Sequence, residues 1–280
     1  MKIGVSSYSF RKYMAATGAS YIDICDKAKE LGFDGIEFIP LTDCNAIEMA
    51  KEIKTHCEKI GLPIIAYTVG ANLLADDIEA EVARLKECVD VCEALGAPLM
   101  RHDVAGKLRP IHMYSYADAI EEMAPRIREI TEYAEMKGIR TCSENHGFIF
   151  QAPEVVEELI LAVNHKNYGW LCDMGNFLCV DADPAEAVYI AAPYTFHVHA
   201  KDFLFKPGTE PCPAGFGITT NGGNYLRGTV VGHGVVPVRA CITALKKAGY
   251  EGWASIEFEG AEDNIPALKN GLAFVKSIVE

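Results

Sequence analysis

Acidic residues and histidines cluster at the ends of four apolar runs in the second half of the sequence. They occur in the segments SENH (143–146), CDMGN (172–176), HVHAK (197–201) and IEFE (256–259). If these runs are neighbouring parallel strands, side-chain alternation predicts that Glu144, Asp173, His199 and Glu257 converge. Three carboxylates and an imidazole without matching cations would be strongly destabilising, and a divalent cation would remove that conflict. The oxygen-rich set favours Mn²⁺, Mg²⁺ or Co²⁺.

The elements that must position these residues can be found along the whole chain. Eight short apolar runs cover residues 2–6, 35–39, 63–67, 97–102, 139–144, 168–173, 195–199 and 253–258. A helical pattern follows each run. The clearest patterns extend from Asp77 to Leu95 and from Ser115 to Lys137, with apolar residues recurring every three or four positions.

Eight strand–helix units in a chain of this length predict an α/β fold, a single (β/α)₈ TIM barrel over residues 1–280. The alternative is a doubly wound open sheet. That fold would favour a G-x-G-x-x-G turn after the first strand, which the sequence lacks. The barrel is therefore the preferred prediction.

One predicted connection, at about residues 200–236, is much longer than the others and is rich in Gly, Pro and Asn. It would be the β7–α7 loop of the barrel, where β7 is the seventh barrel strand. Long loops inside a compact domain are usually functional or disordered, and this one follows the carboxyl end of a strand, where barrel active sites lie. We therefore expect it to border the site, although an insertion without a role is the alternative.

Composition excludes several classes of protein. The 280 residues are 50% hydrophobic and 23% charged, which argues against a disordered chain. The formal charge of 26 − 39 = −13 argues against nucleic acid as a partner. The ten cysteines form no C-x-x-C pair, and no apolar stretch approaches the roughly 18 residues of a membrane span. We expect a cytoplasmic protein with reduced thiols and no membrane partner.

Four groups of residues carry a resemblance to a known family. They are the glutamate that ends the fifth strand, the D-x-G-N of 173–176, the H-x-H-x-K-D of 197–202, and the closing GHGVVP and GYEGWASIE segments. Together they resemble the xylose isomerase-like TIM barrels, the sugar phosphate isomerase/epimerase superfamily. The resemblance implies Mn²⁺ held by Glu144, Asp173, His199 and Glu257, the set that strand alternation also brings together.

Two departures distinguish branches of that superfamily. The keto-sugar 3-epimerases carry a histidine where this chain has Asn176 and an arginine where it has Phe205. The Lys201-Asp202 pair is more similar to the branch of inosose dehydratases and C-glycoside deglycosidase α subunits, which are lyases. That resemblance implies a hetero-oligomer with a small β-rich partner subunit.

Such a site removes a proton next to a sugar carbonyl. The cation polarises the carbonyl group, and a positioned base takes the α proton. Returning the proton elsewhere gives isomerisation or epimerisation, whereas loss of a β substituent gives elimination. We expect a metal-dependent lyase that cleaves the C1 carbon–carbon bond of a 3-keto glycoside, with a keto-sugar isomerase or epimerase as the alternative. A multi-metal endonuclease and a non-catalytic binding subunit remain further alternatives.

The base has two candidate assignments. In the epimerases, two glutamates act as acid and base, and Glu144 and Glu257 could do so here. His146 competes with them, because it lies two residues beyond Glu144 and its ordinary pKa suits a base at neutral pH. Alternatively, His146 supports a neighbouring carboxylate.

Substrate contacts complete the predicted site. The sugar hydroxyls are expected to contact Glu37, His102, Asn176 and Lys201, whereas His197 is expected to support the metal ligands. The acidic residues Glu259, Glu262 and Asp263 after the last strand would repel a phosphate, so a neutral sugar or glycoside is the expected substrate.

Overall fold

Eight parallel strands close into a barrel in the computed structural model, which describes residues 1–280. All eleven strands of the chain, in order, are β1 Lys2–Ser6, β2 Gly35–Phe38, β3 Ile64–Val69, β4 Leu99–His102, β5 Arg140–Glu144, β6 Tyr168–Asp173, β7 Thr195–Ala200, β8 Asp202–Lys206, β9 Ile218–Thr219, β10 Tyr225–Thr229 and β11 Trp253–Ile256. The barrel order is β1-β11-β7-β6-β5-β4-β3-β2, closed by pairing of β1 with both β2 and β11. The predicted TIM barrel is therefore confirmed.

Helices connect the barrel strands on the outside. They are α1 Arg11–Thr17, α2 Tyr21–Leu31, α3 Ala46–Ile60, α4 Ile78–Leu95, α5 Tyr116–Met136, α6 Pro153–Val163, α7 Pro184–Ala191, α8 Val238–Lys247 and α9 Asn264–Val279. Their ends follow from local chemistry. The Asp77 side chain accepts a hydrogen bond from the Ala80 N–H at the start of α4, and Gly96 ends that helix in the left-handed conformation. No helix is both long enough and apolar enough to cross a bilayer.

Along each barrel strand, side-chain alternation places successive residues in two different environments. A small buried cluster of Ala66, Leu99, Cys142 and Leu171 comes from the neighbouring strands β3 to β6, apart from the main core. The intervening residues pack with the helices in that larger core. Two positions after these four residues come Thr68, Arg101, Glu144 and Asp173 at the carboxyl ends of the strands. This arrangement places polar side chains at one end of the barrel, as alternation requires.

The segment between β7 and α8 contains more regular structure than the expected loop at 200–236. Strands β8, β10 and β9 form an antiparallel sheet in that order. Asp202, at the start of β8, holds the turn that follows β10, because its two carboxylate oxygens accept hydrogen bonds from four backbone N–H groups, three of them in that turn. The donors are Phe203, Gly232, Gly234 and Val236, at 2.8–3.0 Å. The Gly-rich GHG sequence therefore wraps around one buried carboxylate.

Candidate metal centre

The four predicted ligands meet at the carboxyl end of the barrel. Glu144 and Asp173 are the last residues of β5 and β6, His199 is the penultimate residue of β7, and Glu257 directly follows β11. One nitrogen or oxygen atom from each lies within 4.8 Å of the others. His199 Nδ1 lies 3.5 Å from Glu144 Oε1 and 3.7 Å from both Asp173 Oδ2 and Glu257 Oε2.

Backbone N–H groups fix the orientation of Asp173. Its Oδ1 accepts hydrogen bonds from the N–H groups of Gly175 and Asn176, at 2.8 and 2.9 Å. Asn145 holds the adjacent backbone by accepting from the Asp173 N–H and donating to the Asp173 carbonyl. The other carboxylate oxygen, Oδ2, is buried and has no hydrogen-bond partner.

A buried carboxylate also orients His199 from behind. Glu37 Oε1 lies 2.7 Å from His199 Nε2, and Glu37 Oε2 lies 2.7 Å from His197 Nε2. Burial alone would raise the pKa of Glu37, but the two histidines hold that pKa well below its usual range. If His199 Nε2–H donates to Glu37, the Nδ1 lone pair faces the other three acids. Carboxylates behind metal-bound histidines commonly fix the tautomer in this way.

The donor set fits a divalent cation. His199 Nδ1 and Asp173 Oδ2 are buried polar atoms without hydrogen-bond partners, and both face the same space. Burial, with repulsion from Glu144 and Glu257, raises the pKa of Asp173 to about 6. Carboxylate oxygens and one imidazole are suitable ligands for Mn²⁺ or Mg²⁺. Lys201 Nζ, at 3.4 Å, is the nearest cationic group to Asp173 Oδ2. The two atoms without hydrogen bonds thus have the position and chemistry of cation ligands.

Two buried cations correct the expectation that the acids would lack matching charges. Arg101 Nη2 lies 2.6 Å from Glu144 Oε2, and Lys201 Nζ lies 2.6 Å from Glu257 Oε2. Acids still outnumber these cations by six to two. The six are Glu37, Asp103, Glu144, Asp173, Glu257 and Glu259. A divalent ion would reduce this excess of negative charge without removing it.

A cavity of about 290 Å³ opens above the cluster. Its polar walls include Arg101, Glu144, His146, His199, Lys201 and Glu257, and Tyr8, Ile39 and Thr68 complete other sides. This volume is near the lower end of the range for small-molecule sites, which suits a compact ligand. Glu144, His199 and Glu257 of the predicted ligand set line this cavity, so the cluster and the cavity form one candidate site.

His146 reaches this cavity from the segment after β5. Its Nδ1 lies 3.1 Å from Asp103 Oδ1, and its side chain remains 48% exposed. Burial opposes its protonation, but the Asp103 hydrogen bond prevails and the pKa of His146 is raised. With Nδ1 held by Asp103, His146 can present Nε2 to a ligand in the cavity.

The structure corrects two predicted sugar contacts. Glu37 is completely buried and both of its oxygens are bound to histidines, so none remains for a hydroxyl group. His102 points away from the cavity and stacks on Tyr168, with ring centroids 6.0 Å apart. Burial lowers the pKa of His102 to about 4. Arg101, which sequence reasoning missed, occupies the inward position instead.

Alternation along β4 contained the signal that would have identified Arg101. Leu99 belongs to the small inner cluster, so the next inward residue is Arg101 rather than His102. Of the other predicted contacts, Lys201 lines the cavity, whereas Asn176 lies behind it. The Asn176 side chain donates to Glu144 Oε1 and lies 3.3 Å from Lys201 Nζ. It therefore positions site residues.

Comparison with known proteins agrees with this architecture. The family described as xylose isomerase-like TIM barrel matches residues 25–278. No curated protein matches the chain.

Solved structures with similar folds share only about a fifth of the sequence. A xylose isomerase domain protein from Planctomyces limnophilus has a TM-score of 0.77 at 21% identity, covering 99% of this chain and 95% of that chain. A probable 3-DHS dehydratase from Bacillus anthracis has a TM-score of 0.75 at 21% identity, covering 99% of each chain. A 3-keto-D-glucoside 4-epimerase from E. coli has a TM-score of 0.73 at 19% identity, also covering 99% of each chain. These likenesses establish a common fold.

Proposed function

Because this chain belongs to the xylose isomerase-like TIM barrel family, we propose that it is a divalent-metal-dependent enzyme that removes the proton next to the carbonyl group of a keto-sugar. The observation that carries the proposal is the pair of buried atoms without hydrogen bonds, His199 Nδ1 and Asp173 Oδ2, within the cluster completed by Glu144 and Glu257. These four residues would hold Mn²⁺ or a similar cation. When bound, the cation would polarise the sugar carbonyl and stabilise negative charge on its oxygen.

The contacts of the candidate bases favour His146 for proton removal. Both oxygens of Glu144 are engaged, one by Arg101 and the other by Asn176. Glu257 is held by Lys201 at 2.6 Å. By contrast, His146 lines the cavity and is half exposed, with Asp103 holding only its Nδ1. A base must reach the proton that it removes, and His146 Nε2 has the freedom to do so.

We further propose elimination as the outcome. In a 3-keto glycoside, His146 would take the C2 proton, and the electrons of the C2–H bond would form the C1–C2 double bond. The C1 substituent would then leave with its bonding pair and acquire a proton, giving an unsaturated keto-sugar. Lys201, which the sequence shares with the lyase branch, supports elimination because it lies inside the site between Asp173 and Glu257. Phe205, which replaces the arginine of the epimerases, does not line the cavity.

An isomerase or epimerase is the second candidate, since the names of the similar structures include both a dehydratase and an epimerase. The two functions are separated by incubating the Mn²⁺-loaded enzyme with a 3-keto C-glycoside that carries an aromatic substituent at C1. Elimination predicts free aglycone and an unsaturated keto-sugar by chromatography, with slow α-deuteration of free ketohexoses in D₂O. Rapid inversion of free ketohexoses without cleavage of the glycoside would instead make the enzyme an epimerase.

The assignment of the base has its own test. His146→Ala should lower turnover by about 100-fold, the lower range for loss of a general base, and should keep its metal. His165→Ala is a matched control, because His165 precedes β6 at the opposite end of the barrel. Near-normal turnover in His146→Ala, with complete loss in a metal-retaining Glu257→Gln, would transfer the role to the glutamate.

A further inference from the structure

Two buried thiols meet between the helices α2 and α3. Cys25 lies in α2 and Cys57 in α3, and their Sγ atoms are 3.5 Å apart. With both thiols protonated, Cys57 donates a hydrogen bond to Cys25, and Cys25 donates to the Tyr21 carbonyl at 3.1 Å. No other two of the ten cysteines form a hydrogen bond with each other. The pair is therefore placed for a reaction between two sulfur atoms.

A second contact holds the two helices together at the same point. His56 Nε2 lies 2.7 Å from Asp26 Oδ1, and these two residues directly adjoin Cys57 and Cys25. To form a bond, the sulfur atoms must approach from 3.5 Å to about 2 Å. Packed helices shift by about 1–2 Å in ordinary conformational changes. The two sulfur atoms can therefore be joined without separating α2 from α3.

Cys57 also borders a cavity of about 400 Å³ at the amino-terminal end of the barrel. The cavity walls include Gly61 and Gly96, which end α3 and α4, and Ile64, the first residue of β3. None of its lining residues lines the metal cavity, and Cys25 does not reach it. Because Cys57 is almost completely buried, only a small molecule can reach its sulfur from this cavity.

The two thiols differ in their readiness to ionise. A hydrogen bond from the Cys25 thiol to the Cys57 sulfur lowers the pKa of Cys57, although burial opposes its ionisation. The same hydrogen bond, together with burial, raises the pKa of Cys25. Because thiolates rather than thiols attack peroxides, Cys57 is the sulfur that reacts first and Cys25 the one that follows.

We propose that Cys25 and Cys57 are an oxidation site that forms a reversible disulfide with hydrogen peroxide. The Cys57 thiolate attacks one peroxide oxygen, the O–O bond breaks, and the hydroxide that leaves takes up a proton to give water. Cys57, oxidised by two electrons, is then a sulfenic acid. The Cys25 sulfur attacks it and loses its proton, the S–O bond breaks, and a second water leaves. Two thiols and one peroxide thus give one disulfide and two waters.

This site is independent of the proposed function, because neither sulfur lines the metal cavity. It also refines the expectation of reduced thiols. The two cysteines remain reduced until an oxidant reaches Cys57, and a thiol reductant restores them by exchange.

Peptide mapping of the natural chain tests the pair directly. The protein is treated with hydrogen peroxide, the remaining thiols are alkylated in denaturant, and tryptic peptides are identified by mass spectrometry. Cleavage after Lys and Arg places Cys25 in the peptide 13–27 and Cys57 in the peptide 55–59, each with one cysteine. A parallel sample contains dimedone, which traps sulfenic acids.

Two variants complete the design. Cys25→Ala removes the second sulfur of the proposed reaction. Cys92→Ala is the matched control, because Cys92 is as buried as Cys25 and donates only to backbone carbonyls. The map of the natural chain decides the matter even if a variant fails to fold.

We expect the two peptides to be linked in the natural chain and to separate in dithiothreitol. Cys92→Ala should give the same yield, whereas Cys25→Ala should give no link and should accumulate the dimedone adduct at Cys57. Peroxide treatment in denaturant should spread the links of Cys25 over other cysteines. Absence of the linked peptides from the natural chain while the exposed cysteines are oxidised would overturn the proposal. Equal yields of the link in folded and denatured protein would overturn it as well.

Discussion

Two buried aspartates near the end of β7 have opposite hydrogen-bond environments. Asp202 is 1% exposed, and both of its oxygens accept from backbone N–H groups. Asp173 is fully buried, yet only Oδ1 accepts such bonds, while Oδ2 has no hydrogen-bond partner. A carboxylate whose hydrogen-bonding capacity is used by the backbone holds the fold together. One that leaves an oxygen facing other ligands has the arrangement of a binding site.

The two aspartates also differ in what surrounds them. Asp202 meets only neutral backbone N–H donors, one from the adjacent Phe203 and three from the turn at residues 232–236. Asp173 meets the Lys201 ammonium group and the His199 imidazole, with two further acids close by. Like charges are costly inside a protein unless a cation holds them together. We therefore propose a structural role for Asp202 and a metal-binding role for Asp173, and substitutions at the two positions can separate these roles.

The largest expected effect comes from Asp173→Asn. Asparagine keeps the Oδ1 acceptor but replaces Oδ2, which lies 3.4 Å from Lys201 Nζ, with an amide NH₂ group that cannot bind a cation. Loss of groups that only support metal ligands costs 10- to 100-fold, so turnover should fall by at least about 100-fold. With a chelator present to remove metal, the free energy of unfolding should stay within about 1 kcal/mol of the natural chain's value. The hydrogen bonds from the backbone N–H groups to Oδ1 persist in the variant. A variant that is active but unstable would reverse the assignment.

Asp202→Asn should produce the complementary result. The single amide oxygen can accept from only one pair of N–H groups, and the amide NH₂ would oppose the other pair. We expect the free energy of unfolding to fall by about 3 kcal/mol. It is measured by denaturant-induced unfolding in the presence of a chelator. The variant should still bind one Mn²⁺ per chain. Loss of metal binding without loss of stability would contradict the structural role.

A smaller effect is expected from Gly234→Ala. A Cβ atom at Gly234 would collide with Asp202 Oδ1 and with the Phe203 carbonyl. Overpacking of this kind costs about 2 kcal/mol, which a shift in the thermal midpoint would show. Gly217→Ala, in the same segment, is the matched control because nothing lies within 4 Å of its added Cβ. Equal midpoints for the two variants would mean that the turn around Asp202 adapts freely.

Much of the fold could be predicted because its signals are local. Each of the eight apolar runs overlaps a barrel strand, and the helical patterns from Asp77 and Ser115 correspond to α4 and α5. Alternation within the runs also placed the four acid and histidine residues on one side, and the structure brings them together. Their role as metal ligands remains a prediction.

The remaining features depend on contacts between distant segments. Nothing near Glu37 in the sequence indicates that both of its oxygens would be taken by His197 and His199, about 160 residues away. The sheet after β7 was missed because its strands pair across Gly-rich turns that resemble an unstructured loop. Asp202 was recognised only as part of a motif, since its four N–H partners become visible only when the chain folds back.

Direct titration with Mn²⁺ tests whether Glu144, Asp173, His199 and Glu257 hold one divalent cation. Free Mn²⁺ is measured by electron paramagnetic resonance while the chelator-treated protein is added, for the natural chain, Asp173→Asn, His199→Ala and Asp202→Asn. We expect about one bound ion per chain for the natural protein and Asp202→Asn, and strongly weakened binding for Asp173→Asn and His199→Ala. Unchanged binding of one ion by Asp173→Asn and His199→Ala would contradict this assignment.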